Sequence, residues 1–182
     1  SPTMRHLLTM MQPRGLADVM RALAIVRPGA ANIGMKEVFV RRLRGLDPVP
    51  RTGHAQLDAV LRPNYGVMVH EDDVMLVAAV LLDDSIIEGD RFRRAVQKCF
   101  DDDRRRELSR EFLGRCRDNG VDGEVARELW VQMAKFNAYS FCRAHAASYA
   151  VLAYAGAYLK THYPIAFWTA ALNNNQSMYP LR

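Results

Sequence analysis

Apolar residues recur at three- and four-residue spacing along almost the whole chain, and that period predicts a mainly α, multi-helix fold. Met4 to Met11 and Leu16 to Val26 read as two helices with Pro13 as the breaker between them. Arg27-Pro28-Gly29 is a turn signal, because proline disfavours the helical region for the residue before it. A third helix is expected from Ile33 to about Leu43, with Arg41, Arg42 and Arg44 near its end, where cations suit the dipole. Asp47-Pro48-Val49-Pro50 predicts an extended loop leading to a short helix around Leu57 to Leu61. Tyr65 to His70 is the strand candidate, so the chain should hold at most a short strand or hairpin near 65–70. Glu71-Asp72-Asp73 opens an apolar helix, Val74 to Leu82. Further helices are expected over Glu88 to Cys99, Asp101 to Asn119, Gly123 to Phe136, Arg143 to His162, and Pro164 to about Leu172.

The composition, 49% hydrophobic and 25% charged over 182 residues, is that of a globular domain and excludes a disordered chain. Ala146 to Leu159 is the longest uncharged apolar stretch, and its 14 residues fall short of the roughly 20 that span a bilayer. No signal peptide is visible. Cys99, Cys116 and Cys142 leave one thiol over in any disulfide scheme, so reduced thiols and a cytoplasmic location are expected. The sequence starts without methionine and stops at Tyr179-Pro180-Leu181-Arg182, as a trimmed piece of a longer chain would.

Charge changes the picture more. Between Arg91 and Arg117 lie ten basic and five acidic residues, a balance of +5, which equals the net charge of the entire chain. So concentrated an excess attracts polyanions over about a Debye length. A solvated helix face laced with ion pairs would have the same composition.

Two constellations could carry chemistry. On the helix through Arg94, residues Arg91, Arg94 and Lys98 share a narrow arc, with Arg93 flanking it and Phe92, Val96 and Cys99 on the packing side. Such a row of guanidinium and ammonium groups fits a triphosphate or a DNA backbone. The second is the stretch Lys135 to Tyr149, where aromatic residues crowd the entry of a small-residue helix. His145 and Tyr149 share a face at i, i+4, with Arg143 in the first turn. Rings beside a cation suit a stacked base or sugar, although a buried aromatic cluster with a hydrogen-bonded His145 has the same pattern. The acids Glu71, Asp72 and Asp73 are discounted as a metal site, because consecutive residues point apart and acids suit a helix start. No phosphate loop, nucleophile elbow or zinc spacing is present.

Five motifs, in order, resemble the fingers region of bacterial C-family DNA polymerases, the group of the DNA polymerase III alpha subunit. They are Arg27-Pro28-Gly29 with Gly34-Met35; Tyr65-Gly66-Val67-Met68-Val69 with Val74-Met75; Arg93-Arg94-Ala95 with Lys98; Lys135 to Phe141 with His145-Ala146-Ala147-Ser148-Tyr149-Ala150; and Tyr158-Leu159-Lys160-Thr161-His162-Tyr163-Pro164 with Phe167. The resemblance spans essentially the whole chain.

It implies a fingers fragment over 1–182: a helical lobe leading from the palm at 1–62, nucleotide- and template-facing helices at 63–172, and an exit segment at 173–182. It further implies part of a DNA-directed DNA polymerase, a nucleotidyltransferase that binds deoxynucleoside triphosphate and template-primer DNA. Arg93, Arg94, Lys98, Arg143, His145 and Tyr149 match nucleotide-facing positions, with His145 near the sugar. Arg27, Arg104 and Arg105 are the candidate DNA contacts. Magnesium in the intact enzyme would be held by palm carboxylates outside this chain, so the fragment alone should be inactive and carries neither catalytic nor metal-binding residues. The implied partners are the palm and other domains of the same polypeptide and a sliding clamp, with no membrane. Departures point to an atypical or error-prone branch: His70 stands for the family's tyrosine, Ile87-Glu88 for a glycine pair, Cys99 for a lysine, Arg143 for a lysine, and Cys142 and Ala144 for asparagine and serine. A non-enzymatic helical DNA-binding module and a metal-dependent nuclease centred on Asp72 and Asp73 are the rival expectations.

Overall fold

The computed structural model describes residues 1–27, 34–136 and 141–174. Pro28, Gly29 and Ile33, Asn137 to Ser140 and most of the 173–182 exit segment lie outside the described residues. Among the described residues ten α-helices follow one another: α1 (Pro2–Met11), α2 (Leu16–Ile25), α3 (Met35–Leu43), α4 (Ala55–Leu61), α5 (Glu71–Leu82), α6 (Ile86–Gln97), α7 (Asp102–Asp118), α8 (Gly123–Phe136), α9 (Arg143–His162) and α10 (Pro164–Asn173). The helical expectation holds, with boundaries shifted by one to three residues.

Local chemistry sets most of the starts. The Ser1 hydroxyl accepts the N–H of Met4 at 3.3 Å, and Pro2 follows it at a position where a missing N–H costs nothing. The Ser85 hydroxyl accepts from Glu88 at 3.3 Å, and the Asp101 carboxylate accepts from Arg104 at 2.8 Å. Asp122 takes the N–H groups of Glu124 and Val125 at 2.8 and 3.1 Å, opening α8.

The strand candidate is corrected: among the described residues Tyr65 to His70 forms no strand. Pro63 sits in a 3-10 turn (Arg62–Asn64), Tyr65 takes a left-handed φ of 56°, and Val67, Met68 and Val69 then run buried through the core without a ladder partner. Buried N–H groups still need acceptors. The Asp73 carboxylate supplies one, taking the N–H of Val69 and of His70 at 2.8 Å each. The N–H groups of Tyr65, Gly66 and Val67 go to the backbone carbonyls of Arg62, Leu61 and Asn64, so turn bonds and one side chain take the place of a ladder.

α5 is apolar on nearly every side, with Val74, Val77, Ala78, Leu81 and Leu82 all buried, and a helix of that kind belongs at a core's centre. α6 crosses it closely at Gly89, where a Cβ would stand 2.3 Å from the Met75 carbonyl oxygen. Phe92 of α6, Phe112 of α7 and Trp130 of α8 close the other side, with ring centroids 5.1, 5.6 and 6.1 Å apart. One contiguous core runs from Leu7 to Ala146. α9 lies on α2 and then leaves the body: Val151, Leu152, Tyr154, Tyr158 and Leu159, with Ile165 and Trp168 of α10, are all exposed. Even so, no described helix is long and apolar enough to cross a membrane.

Candidate nucleotide and template interface

The N-terminus of α5 is the junction on which the candidate residues meet. Asp73, third in the helix and 2% exposed, bonds on both oxygens. Oδ2 accepts from Val69 N, His70 N and Asn64 Nδ2 (2.9 Å), while Oδ1 accepts from Arg143 Nη2 at 2.5 Å. Burial pushes this carboxyl upward, but the two backbone N–H bonds and the Arg143 charge outweigh it and hold the group below its ordinary value. The His70 imidazole, also buried, stands 3.7 Å from Asp73 Oδ2, beyond hydrogen-bond length, and neither ring nitrogen has a partner among the described residues. The acidic triplet at this helix start therefore does more than suit the dipole: Asp72 also pairs with Arg143.

Arg143 is thereby held at the first turn of α9, its Nε toward Asp72 and Nη2 on Asp73. The same turn fixes a row of rings. Phe141 meets His145 edge-on at 5.4 Å, and His145 meets Tyr149 at 4.5 Å. Phe141 is buried, whereas His145 and Tyr149 are exposed, so the pair is available to a stacking partner and is not a core cluster. The Arg27 guanidinium lies over the Phe141 ring at 4.5 Å, a cation–π contact that places a candidate DNA residue beside the ring row.

Glu71 links this row to α6. Its N–H donates to the Phe141 carbonyl at 3.1 Å, and its carboxylate approaches Arg93 Nη1 at 3.8 Å. Arg93 sits lower on this helix. It is only 8% exposed; Nε and Nη2 clasp Asp90 Oδ1 at 2.9 and 2.8 Å, and Nη1 donates to Gln97 at 3.1 Å. Each nitrogen of its guanidinium thus already has a partner within the protein. Arg94, on the exposed side, gives only its Nε, to Asp90 Oδ2 at 2.7 Å. Lys98 caps the end of α6 and has no ion-pair partner among the described residues. Asp90 was overlooked in the sequence, although its place three and four residues before Arg93 and Arg94 was a legible signal.

The basic run continues into α7. Arg105 Nη2 donates to the Cys99 carbonyl at 3.1 Å, which sets it beside the end of α6, and Arg104 pairs with Glu107 at 2.8 Å. Apart from Lys98 and Arg110, every cation of the run lies within ion-pair distance of a carboxylate. The face is thus laced with pairs, as the alternative had it. Most are exposed, weak and screened by salt, so the guanidinium groups can exchange partners with a polyanion. Among the described residues no three His, Cys, Asp or Glu side chains assemble as a metal site.

Residues 1–120 match the family described as the bacterial DNA polymerase III alpha subunit finger domain. The DNA polymerase III subunit alpha of Pseudomonas aeruginosa is 32% identical over 176 residues, which cover 93% of this chain and 15% of that protein. The same subunit of Campylobacter jejuni is 33% identical over 174 residues, 96% of this chain and 14% of the relative. That of Aquifex aeolicus is 30% identical over 174 residues, again 96% of this chain and 15% of the relative. The chain spans about 15% of the length of these relatives.

Proposed function

The chain belongs to the family of bacterial DNA polymerase III alpha subunit finger domains, and on that premise we propose that it closes one side of the pocket for an incoming deoxynucleoside triphosphate and template-primer DNA in a DNA-directed DNA polymerase. Arg94 and Lys98 take phosphate oxygens: both Nη atoms of Arg94 and the Lys98 ammonium have no partner among the described residues. His145 and Tyr149 meet the sugar and base, with the remaining nitrogen of Arg143 at their edge. Arg27, Arg104 and Arg105 contact the DNA backbone, and Arg93 serves from beneath as a structural tie. The observation that carries this proposal is the exposed His145–Tyr149 pair, 4.5 Å between centroids, joined through Phe141 and Glu71 to the basic helix.

The chemistry is phosphoryl transfer, in which magnesium would stabilise charge on the phosphates in the intact enzyme. The described residues do not fit that ion: Asp72 and Asp73 are taken up by Arg143, and no other acidic group converges with them. The work of this chain is to bind and orient, and alone it should not polymerise. Palm and other domains of the same polypeptide are the partners that the apolar exposed faces of α9 and α10 suit. A sliding clamp acting through the intact enzyme and a cytoplasmic setting complete the proposal.

Arg94→Ala in the full-length polymerase tests it. The expected result is a raised KM for the nucleotide with duplex binding retained. An unchanged KM and turnover, with duplex affinity indifferent to nucleotide, would favour the non-enzymatic DNA-binding module instead.

A further inference from the structure

Arg93 and Arg94 share one carboxylate, and its two oxygens treat them differently. Asp90 Oδ1 receives the Nε and Nη2 of Arg93, a bidentate clasp onto a buried guanidinium that Gln97 and Glu71 also hold. Oδ2 receives only the Nε of Arg94, whose side chain is 64% exposed. That leaves both Nη atoms of Arg94 without a partner among the described residues. From these contacts, and resting on the triphosphate role given to Arg94 above, we propose that Asp90 is the positioning residue that presents the Arg94 fork to the phosphates of the nucleotide.

A rigid path supports this. An arginine on a bare helix face disperses over many rotamers, and ordering it on binding costs affinity. Here the order is built in. Arg93 is fixed by burial, Asp90 by Arg93, and the Nε edge of Arg94 is drawn to Asp90, so the guanidinium is biased toward one orientation before a ligand arrives. The i, i+3 and i, i+4 spacing of the three residues brings both cations to one acid on a single helix. Burial raises the Asp90 carboxyl, but the bond from Arg93 and the charges of Arg93 and Arg94 outweigh it and keep the group ionised.

Electrostatics alone predicts the opposite outcome, which makes the proposal decidable. A negative group beside a phosphate site repels the ligand, so an Asp90 that acted only by charge would, once neutralised, let nucleotide bind more tightly.

The test is steady-state kinetics of the full-length polymerase carrying Asp90→Asn, Arg94→Ala and both together. Asp90→Asn is expected to raise the nucleotide KM roughly three- to tenfold, the cost of immobilising one freed long side chain, with a much smaller change in kcat. The double variant should be no worse than Arg94→Ala alone, because Asp90 acts through that residue. An unchanged or lowered KM in Asp90→Asn, or additive losses in the double variant, would overturn the proposal. If Asp90→Asn does not fold, Asp90→Glu keeps a charge for Arg93 while displacing the carboxylate. It should still raise KM at least about twofold, and no change there would equally overturn it. Should Arg94→Ala itself leave KM untouched, the triphosphate role of Arg94 fails and takes the positioning role with it, an outcome distinct from failure of the Asp90 variants alone.

Discussion

Arg143 Nη2 stands 2.5 Å from Asp73 Oδ1, and this bond, between residues seventy positions apart in sequence, fastens the first turn of α9 to the first turn of α5. The arginine is partly open to solvent while the carboxylate is buried, so the two ends of the bond are unequal. Loss of the arginine leaves Asp73 three other donors. Loss of the carboxylate strands two backbone N–H groups and the Asn64 amide together, and leaves Arg143 with Asp72 alone.

Asp73→Ala is therefore expected to destabilise the chain by about 2–4 kcal/mol, and Arg143→Ala by less, in urea or thermal denaturation. The pH dependence has a definite sign. The folded-state carboxyl sits below its ordinary value, so its stabilising contribution is present above the unfolded pKa, about 3.9, and is lost as pH falls through the lower folded value. Melting temperature should fall steeply in that acid range, and Asp73→Asn should flatten the slope. An acid limb identical in both proteins would exclude the clasp as its source.

Two helical glycines should respond in opposite directions. Gly89→Ala would place a Cβ 2.3 Å from the Met75 carbonyl oxygen, forcing α6 off α5 at a cost of about 1–3 kcal/mol. Gly114, inside α7, has nothing within 4 Å, so Gly114→Ala should gain about 0.5–1 kcal/mol from helix propensity. Calorimetry on the two variants reads both signs directly.

On the proposal that the exposed His145 ring, between Phe141 and Tyr149, meets the sugar, His145→Ala in the full-length polymerase should relax discrimination between deoxyribose and ribose substrates. Phe141 and Arg27 would remain in place, so DNA affinity should change little. The measurement is the ratio of kcat/KM for the two substrates, and an unaltered ratio removes His145 from that role.

Thiol labelling should separate two cysteines. Burial raises the Cys116 thiol to about 11, whereas Cys142 is exposed at the start of α9. At pH 8 in the native state, iodoacetamide should modify Cys142 and spare Cys116, with Cys116 reacting only after denaturation. Peptide mass mapping gives the result.

The helices were legible in the sequence because their apolar periods and caps are local. Asp101 and Pro164 mark starts where helices do begin. Tyr65 to His70 misled for a physical reason: a short apolar run signals burial, while the acceptors of its N–H groups, nearby turn carbonyls and the Asp73 side chain, are not visible in a hydrophobic pattern. The candidate site was half legible. The shared face of His145 and Tyr149 follows from i, i+4 spacing, and their exposure does not. Arg93 and Arg94 look alike in sequence, yet one is buried on Asp90 and Gln97 and the other open, because which face of α6 meets α5 depends on packing between helices.

The polar chain that begins at Arg21 extends what the Asp73 clasp does. Arg21 Nε donates to Asn64 Oδ1 at 3.2 Å, Asn64 Nδ2 to Asp73 at 2.9 Å, and Arg143 closes on the same carboxylate. Four helical elements are thus wired in series through one amide, and damage at α2 is transmitted to α9 without direct contact between the residues concerned. In a genetic screen, lesions at Asn64 should be suppressed by second-site changes around Arg143, and the ring-bearing motif transplanted by itself into another helix would lose its aim.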